Sequence, residues 1–306
     1  MGTLSIIIPT KNRKEFLRIT VDNLLKQTRI PDEIIVVDDH SSDGTLDFLN
    51  SAYNGQVRGV TNKGHGPGAA RNTGFQHSTG EYIKFFDSDD ILSLNSLEVQ
   101  LKDLEKSGQE MVYSPYVHAR FSSGKWLQKD VIIQFYPIPK GKSLRDCMAY
   151  GFFSVIPGMT FRRSLIETIG PWREDIIAYE DWDYLWRIGQ LVQNPRHTNE
   201  CLMIYRIHDQ QTTGNQRDDN YRDQNRLKCL SRILKDPNLP LKLRFLLKVE
   251  LYSTKALLNK NNGIPPIYKM GRLFKRLRNK YQRLITGTNW EVYHGVKNKS
   301  IHDYSF

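Results

Sequence analysis

GEYIKFFDSDDIL (Gly80–Leu92) changes character within one residue. Up to Phe86 it is an apolar strand signal, and from Asp87 it carries three carboxylates in four positions: Asp87, Asp89 and Asp90. Like charges this close repel and disturb one another's protonation. A solvated turn with one acid capping the next helix accounts for one of them, or two. A divalent cation accounts for all three. Hard cations such as Mg2+ and Mn2+ take oxygen ligands, often one or two carboxylates beside substrate phosphates. The ion's own charge also offsets the repulsion.

The same punctuation recurs upstream. Leu4–Pro9 (LSIIIP) is a short apolar strand, and Arg13–Lys26 carries apolar residues at helical spacing. Glu33–Val37 (EIIVV) is a second strand, running into Asp38 and Asp39, and Ser42 or Asp43 caps a helix through Leu49. Val57–Thr61 is a third strand, Gly64–Gly68 a turn and Ala69–His77 a helix, before the strand Glu81–Phe86. Ser93–Glu105 reads as helix and Glu110–Ser114 as strand. Such alternation predicts an α/β fold, a mostly parallel sheet flanked by helices. Ligands of these sheets bind outside the carboxyl ends of the strands. Four exits carry polar groups there: Thr10 and Asn12, Asp38 and Asp39, Asn62, and Asp87–Asp90.

From about Val117 the pattern loosens. His118–Leu127 is read as a hairpin, Ser143–Ala149 and Arg163–Ile169 as short helices, and Ala178–Gln193 as a helix with an aromatic face. Cys201–Ile207 is a strand signal, and beyond Gln216 the chain is nearly all helical.

At 306 residues with 39% hydrophobic content, the chain is long enough for one large domain or two modest ones with a real core. No run approaches the roughly 18–20 apolar residues of a membrane span. MGTLSIIIPTKNR lacks a basic leader segment and reads as a first buried strand. Cys147, Cys201 and Cys229 are too scattered for a metal site or a disulfide framework, which fits a reducing cytoplasm. The net charge of +11 is local: residues 217–283 hold 18 basic and 5 acidic side chains, against 26 and 28 elsewhere.

Four further constellations bear on chemistry. VVDDHSSDGT (Val36–Thr45) places two acids after a buried strand, where they cap a turn or accept hydrogen bonds from a ligand. NKGHGPGAARNTG (Asn62–Gly74) turns into a helix whose first amides favour phosphate, with Arg71 one turn in. Gly64, Gly66 and Ala69 also match a dinucleotide fingerprint, but that belongs on the first strand, whose exit PTKNR has no glycine. YEDWDY (Tyr179–Tyr184) opens a helix with Glu180, Asp181 and Asp183, which complement its dipole. The interleaved aromatics suggest a pocket wall in which a carboxylate acts as general base. YRIHDQQTT (Tyr205–Thr213) carries Arg206 and His208, the histidine structural or a metal or phosphate contact.

Taken in order, SIIIPTKNR, EIIVVDDHSSDGT, GPGAARNTG, GEYIKFFDSDD, YEDWDYLWR and YRIHDQQTT resemble the inverting glycosyltransferases of family 2, of GT-A fold and bacterial surface-polysaccharide type. The resemblance covers about residues 3–213. It implies a nucleotide-sugar donor, most simply a UDP-sugar, and Mn2+ or Mg2+ as cofactor. By position, Pro9 and Thr10 would line the base pocket, with Asn12 also among the donor-binding residues. Asp39, with Asp38 beside it, would contact uracil, and Arg71 would lie near base and phosphates. Asp87 and Asp89 match the D-x-D element, with Asp89 reaching ribose and metal. Asp90 and His208 would complete the metal site. Asp181 would be the base, with Glu180 and Trp182 in the acceptor pocket. The acceptor would be a glycan or a lipid-linked sugar.

The expected organisation is a catalytic domain over residues 1–216, its donor part about 1–116 and its acceptor part about 117–216. A basic helical region follows over 217–306. Within that region, 265–285 has the pattern of a basic amphipathic helix, suited to an anionic membrane face or to packing on the domain. The expected location is the cytoplasm, with peripheral attachment at the inner face of the cytoplasmic membrane if that helix binds lipid, and no nucleic acid is expected as partner. Two other readings are a nucleotidyltransferase or dinucleotide enzyme on a similar sheet, and a basic membrane- or nucleic-acid-binding module.

Overall fold

Strand β1 (Leu4–Thr10) sets the layers, because its side chains alternate between two cores. Ile7 joins one cluster with Ile35, Val37, Phe85 and Phe161. Ile6 and Ile8 join the other with Ile34, Val36 and Phe86. Each such side chain contributes roughly 1.5–3 kcal/mol by leaving water. The computed structural model describes residues 1–122, 125–133, 137–149, 155–208, 211, 219–258 and 296–297.

The expected alternation is observed. After β1 come α1 (Lys14–Leu25), β2 (Glu33–Asp38), α2 (Thr45–Tyr53), β3 (Arg58–Thr61), α3 (Gly66–His77) and β4 (Tyr82–Phe85). The chain continues through β5 (Ile91–Leu92), α4 (Ser96–Ser107), β6 (Met111–Tyr113), β7 (Tyr116–Ser122), β8 (Lys125–Ile133) and α5 (Leu144–Ala149). Then follow β9 (Met159–Arg162), α6 (Arg163–Ile169), α7 (Glu180–Leu191), β10 (Arg196–His197), β11 (Met203–Ile207), α8 (Asp219–Ile233), α9 (Leu241–Leu258) and β12 (Val296–Lys297).

The main sheet has the order β10-β6-β9-β4-β1-β2-β3. Its pairs are parallel except those of β9, which runs antiparallel to β4 and β6. In register, Ile7 of β1 stands opposite both Ile35 and Phe85, so the exits of β1, β2 and β4 lie side by side. A second sheet, β12-β8-β7-β11-β5, stands beside the first. The hairpin expected at 118–127 is its β7–β8 pair.

Several boundaries differ from expectation, among them the end of α2 at Tyr53 and the start of α7 at Glu180, and two have clear local reasons. Helix α3 starts at Gly66, three residues early, because Pro67 fits a first helical turn, where its missing N–H costs nothing. Helix α4 starts at Ser96 rather than Ser93. The residues before it pair with β11, Leu92 opposite Met203, and Leu202 N–H donates to Ser93 Oγ at 3.0 Å. Gly74 lets α3 lie close on the sheet, since a Cβ there would come within 3.0 Å of Val37 Cγ2.

Helices α8 and α9 pack on the domain through Leu230, Ile233, Leu243 and Leu247, which join the same core as Phe85. The segment 265–285 lies outside the described residues. The three cysteines are buried and free. Among the described residues no helix is long and apolar enough to cross a membrane.

Candidate active site

The exits of β1, β2 and β4 open on one cavity of about 840 Å³, walled on its far side by the start of α7 and by α8 and α9. Pro9, Thr10, Asp39, Arg71, Asp87, Asp89, Glu180, Asp181 and Trp182 line it.

At the β2 exit, Asp39 is held by its neighbours. Asn62 Nδ2 donates to its Oδ1 at 2.7 Å, Gly66 N–H donates to both oxygens at 3.1 Å, and Lys11 Nζ lies 3.3 Å from Oδ2. Burial pushes this carboxyl up, but those donors outweigh burial and keep it below its usual range. The anion at the N-terminus of α3 is therefore Asp39 itself. This argues against the dinucleotide fingerprint, which needs that amide for a pyrophosphate. Asp39, His40 and His65 also offer ligand atoms within 4.8 Å of one another, but both histidines are exposed and the Asp39 oxygens already accept from Asn62 and Gly66.

At the β4 exit, Asp87, Asp89 and Asp90 present ligand atoms that all lie within 4.8 Å of one another. Asp89 Oδ2 accepts from Arg13 at 2.7 Å and lies 3.1 Å from His208 Nε2. The His208 ring stacks on Phe16 at 3.9 Å. Burial raises the Asp89 carboxyl, and His208, Arg13 and Arg206 more than offset it. Asp90 is fully buried behind the cavity wall. Its Oδ1 accepts the Arg206 N–H at 3.0 Å, and its Oδ2 has no hydrogen-bond partner. Burial, then Asp89 and Asp87, push Asp90 well above the carboxylate range. Three crowded carboxyls with an unsatisfied buried oxygen suit a hard divalent cation.

Across the cavity, α7 begins after Tyr179, whose left-handed φ of 76° turns the chain sharply. The three acids of its first turn divide. Asp183 points into the core, held by Arg173 and by Arg187. Glu180 and Asp181 face Arg71. That buried guanidinium reaches Asp87 Oδ1 at 3.0 Å, Glu180 Oε1 at 3.4 Å and Asp181 Oδ1 at 3.5 Å. It lies 4.5 Å from the Trp172 ring, which stacks on Tyr184 at 3.9 Å. One cation thus serves three acids. Burial, opposed by Arg71 and helped by Asp181 and Asp89, raises Asp87 to about 6. Burial and Asp181 raise Glu180 to about 8. Burial also raises Asp181, against Arg71.

Asn12 and Asp38 stand apart from the cavity. Asn12 is exposed, and Ser42 N–H donates to its Oδ1 at 2.7 Å, while Asp38 Oδ2 accepts from Ser41 N–H at 3.1 Å. Both shape the loop after β2. Sequence reading passed over Lys11, Arg13 and Trp172 as site residues, and Arg222, Arg226 and Glu250 from α8 and α9. Arg13 sat inside PTKNR, but its pairing with Asp89 spans 76 residues and leaves no local signal.

The sequence model of one family, described as glycosyl transferase family 2, matches residues 5–170. The chain is 30% identical over 186 residues to the Escherichia coli UDP-Glc:alpha-D-GlcNAc-diphosphoundecaprenol beta-1,3-glucosyltransferase WfgD, covering 60% of this chain and 68% of that one. A Rickettsia felis protein described as an uncharacterized glycosyltransferase is 32% identical over 148 residues, 44% of this chain but only 24% of its own length. Among solved structures, S. aureus TarS 1–349 in complex with UDP-GlcNAc matches with a TM-score of 0.63 at 15% identity, covering 94% of this chain and 93% of that one. The mannosyltransferase PcManGT from Pyrobaculum calidifontis, in complex with GDP-Man and Mn2+, matches with a TM-score of 0.57 at 18% identity, covering 93% and 87%. At these identities the structural likeness speaks for the fold.

Proposed function

The chain belongs to glycosyl transferase family 2, and from that premise we propose a metal-dependent inverting transfer from a UDP-sugar to a hydroxyl of a glycan or lipid-linked acceptor, in cell-surface polysaccharide synthesis. The observation that carries this reading is one cavity with a cation-suited acid cluster at one end and the Glu180–Asp181 pair at the other, bridged by Arg71. The E. coli relative is named for a UDP-sugar donor and a lipid diphosphate acceptor, which supports the choice of substrates. Peripheral membrane contact through 265–285 belongs to the same proposal.

In this reading Pro9, Thr10 and Asp39 receive the base, with the Asp39 carboxylate accepting from a uracil N–H. Asp89 and Asp90, with Asp87 and His208 beside them, would hold Mn2+ or Mg2+. When bound, the ion supplies positive charge to a departing diphosphate. Glu180, pushed to about 8, holds a proton at pH 7. With that proton on Glu180, Asp181, itself raised by burial but opposed by Arg71, would be the carboxylate that takes the acceptor's hydroxyl proton. The acceptor oxygen bonds to the anomeric carbon from the face opposite the diphosphate, whose bond to that carbon breaks. Trp182 offers the acceptor sugar an apolar surface.

The test is a thermal-shift screen of nucleotides and nucleotide sugars with and without Mn2+ or Mg2+. Stabilisation by UDP and one UDP-sugar only when metal is present is the expected result. Stabilisation by NADH without metal, and none by UDP, would overturn the reading.

A further inference from the structure

The cavity extends past the residues that the family shares. Its outer wall comes from α8 and α9, beyond residue 170, where Arg222, Arg226 and Glu250 line it. Arg222 and Arg226 are four residues apart and share one face of α8.

The charges in this cavity can be paired off. Besides its histidines, the described wall carries five cations: Lys11, Arg13, Arg71, Arg222 and Arg226. Four are committed. Lys11 pairs with Asp39, Arg13 with Asp89, and Arg71 with Asp87, Glu180 and Asp181. Arg226 pairs with Glu250, and its guanidinium lies 5.3 Å from the Tyr179 ring. Arg222 is exposed and, among the described residues, makes no ion pair or hydrogen bond. Among the described residues it is the wall cation left over for a ligand. An exposed arginine on the wall of such a cavity has its fork of donors available for an oxyanion, which it holds better than a lysine does.

We propose that α8 supplies an acceptor subsite for a sugar carrying a phosphate on its anomeric oxygen, with the ring against Trp182 and the phosphate on Arg222. The proposal rests on the glycosyltransferase reading. It adds the anionic class of the acceptor and the residue that selects it. A phosphate is favoured over the carboxylate of a uronic acid by position. Arg222 is exposed, so it suits the end of an acceptor that leads out to solvent, where a phosphate on the anomeric oxygen would lie, better than a carboxylate on the ring. Trp182 stacks on Trp186 at 5.2 Å, which fixes the ring surface beside the base.

The experiment titrates N-acetylglucosamine 1-phosphate and the methyl glycoside of the same sugar into the full chain. Both are followed by saturation-transfer NMR, with excess UDP and Mg2+ and again without them. The sugar phosphate is expected to bind about tenfold more tightly than the glycoside, the size of one charge-assisted contact. Arg222→Glu should remove that preference, and Arg222→Lys should keep part of it, with UDP affinity unchanged in both. Equal binding of the two probes, or a preference that survives Arg222→Glu, overturns the subsite. Loss of the preference on adding phosphatidylglycerol vesicles would assign Arg222 to lipid headgroups and also overturn it. If the wild type fails to bind UDP, the donor reading falls. The comparison without UDP still decides the subsite.

Discussion

Asp89 and Glu180 are both carboxyls in the wall of one cavity, and their surroundings push them in opposite directions. Burial raises Asp89, but His208, Arg13 and Arg206 overcome it and keep the group ionised. Burial raises Glu180 to about 8, where Asp181 adds to the rise and a shared Arg71 opposes it. Asp89 at the β4 exit has several cationic neighbours to itself, whereas Glu180 and Asp181 at the start of α7 share one guanidinium with Asp87. Burial alone does not set protonation here. The ratio of partners does. At the β4 exit Asp89 alone is kept low, while Asp87 and Asp90, with fewer cationic partners, are raised. At the start of α7 both acids are raised, Glu180 to about 8 and Asp181 by burial against Arg71.

The sharpest way to break this comparison is to remove one carboxylate from each end. Asp181→Asn should lower transfer by about 10³-fold, within the usual range for a general base, with metal-dependent UDP binding kept within a few-fold. Asp89→Asn should do the reverse, weakening metal-dependent UDP binding by about 100-fold, with catalysis restored in part at high donor and metal. Isothermal titration with UDP and single-turnover transfer assays separate the two. If both variants lose binding equally, the ends are not specialised.

A smaller effect tests the bridge. Arg71→Lys keeps the charge but loses the fork that touches Asp87, Glu180 and Asp181 together. Turnover should fall about tenfold, with UDP affinity changed less. The pH–rate profile should shift as well, since the carboxyl pair loses part of its stabilising cation. An unchanged profile would place Arg71 in a packing role on Trp172 only.

Much of the β4 end was legible in the sequence because it is local. Asp87, Asp89 and Asp90 follow one apolar strand, and Asp39 follows another, so strand periodicity alone puts them on one edge. The partners that decide their protonation were not legible. Arg13 reaches Asp89 across 76 residues, and Arg206 meets Asp90 across 116. Only the packing of α1 and β11 against the β4 exit brings them there. Strand β9 was not read from the sequence at all, since Met159–Arg162 is only four residues long and gains its strand character by pairing with β4 and β6. The motifs thin out after Gln216, yet α8 joins the core through Leu230 and Ile233 and supplies Arg222 to the cavity. Amphipathic spacing announces a helix, but not the face on which it lands.

Lys84 offers the smallest and cleanest version of the comparison. It lies in β4, three residues before Asp87, fully buried, with its Nζ donating to Gln100 Oε1 and to the Met159 carbonyl at 3.0 Å each. Those partners are neutral, and among the described residues no carboxylate pairs with it. Burial therefore acts almost alone and lowers the ammonium from 10.5 to about 7. Between pH 7 and 10 the unfolded chain then binds more protons at this position than the folded one, so stability rises with pH across that window. Below pH 7 both states are protonated and the contribution is flat at its least favourable value. The slope from this one group is about 1 kcal/mol per pH unit. Urea unfolding at pH 7, 8 and 9 should show it in the wild type, and Lys84→Met should remove it. If the slope persists in Lys84→Met, another group carries it, and the claim that burial without a counter-charge shifts Lys84 is wrong.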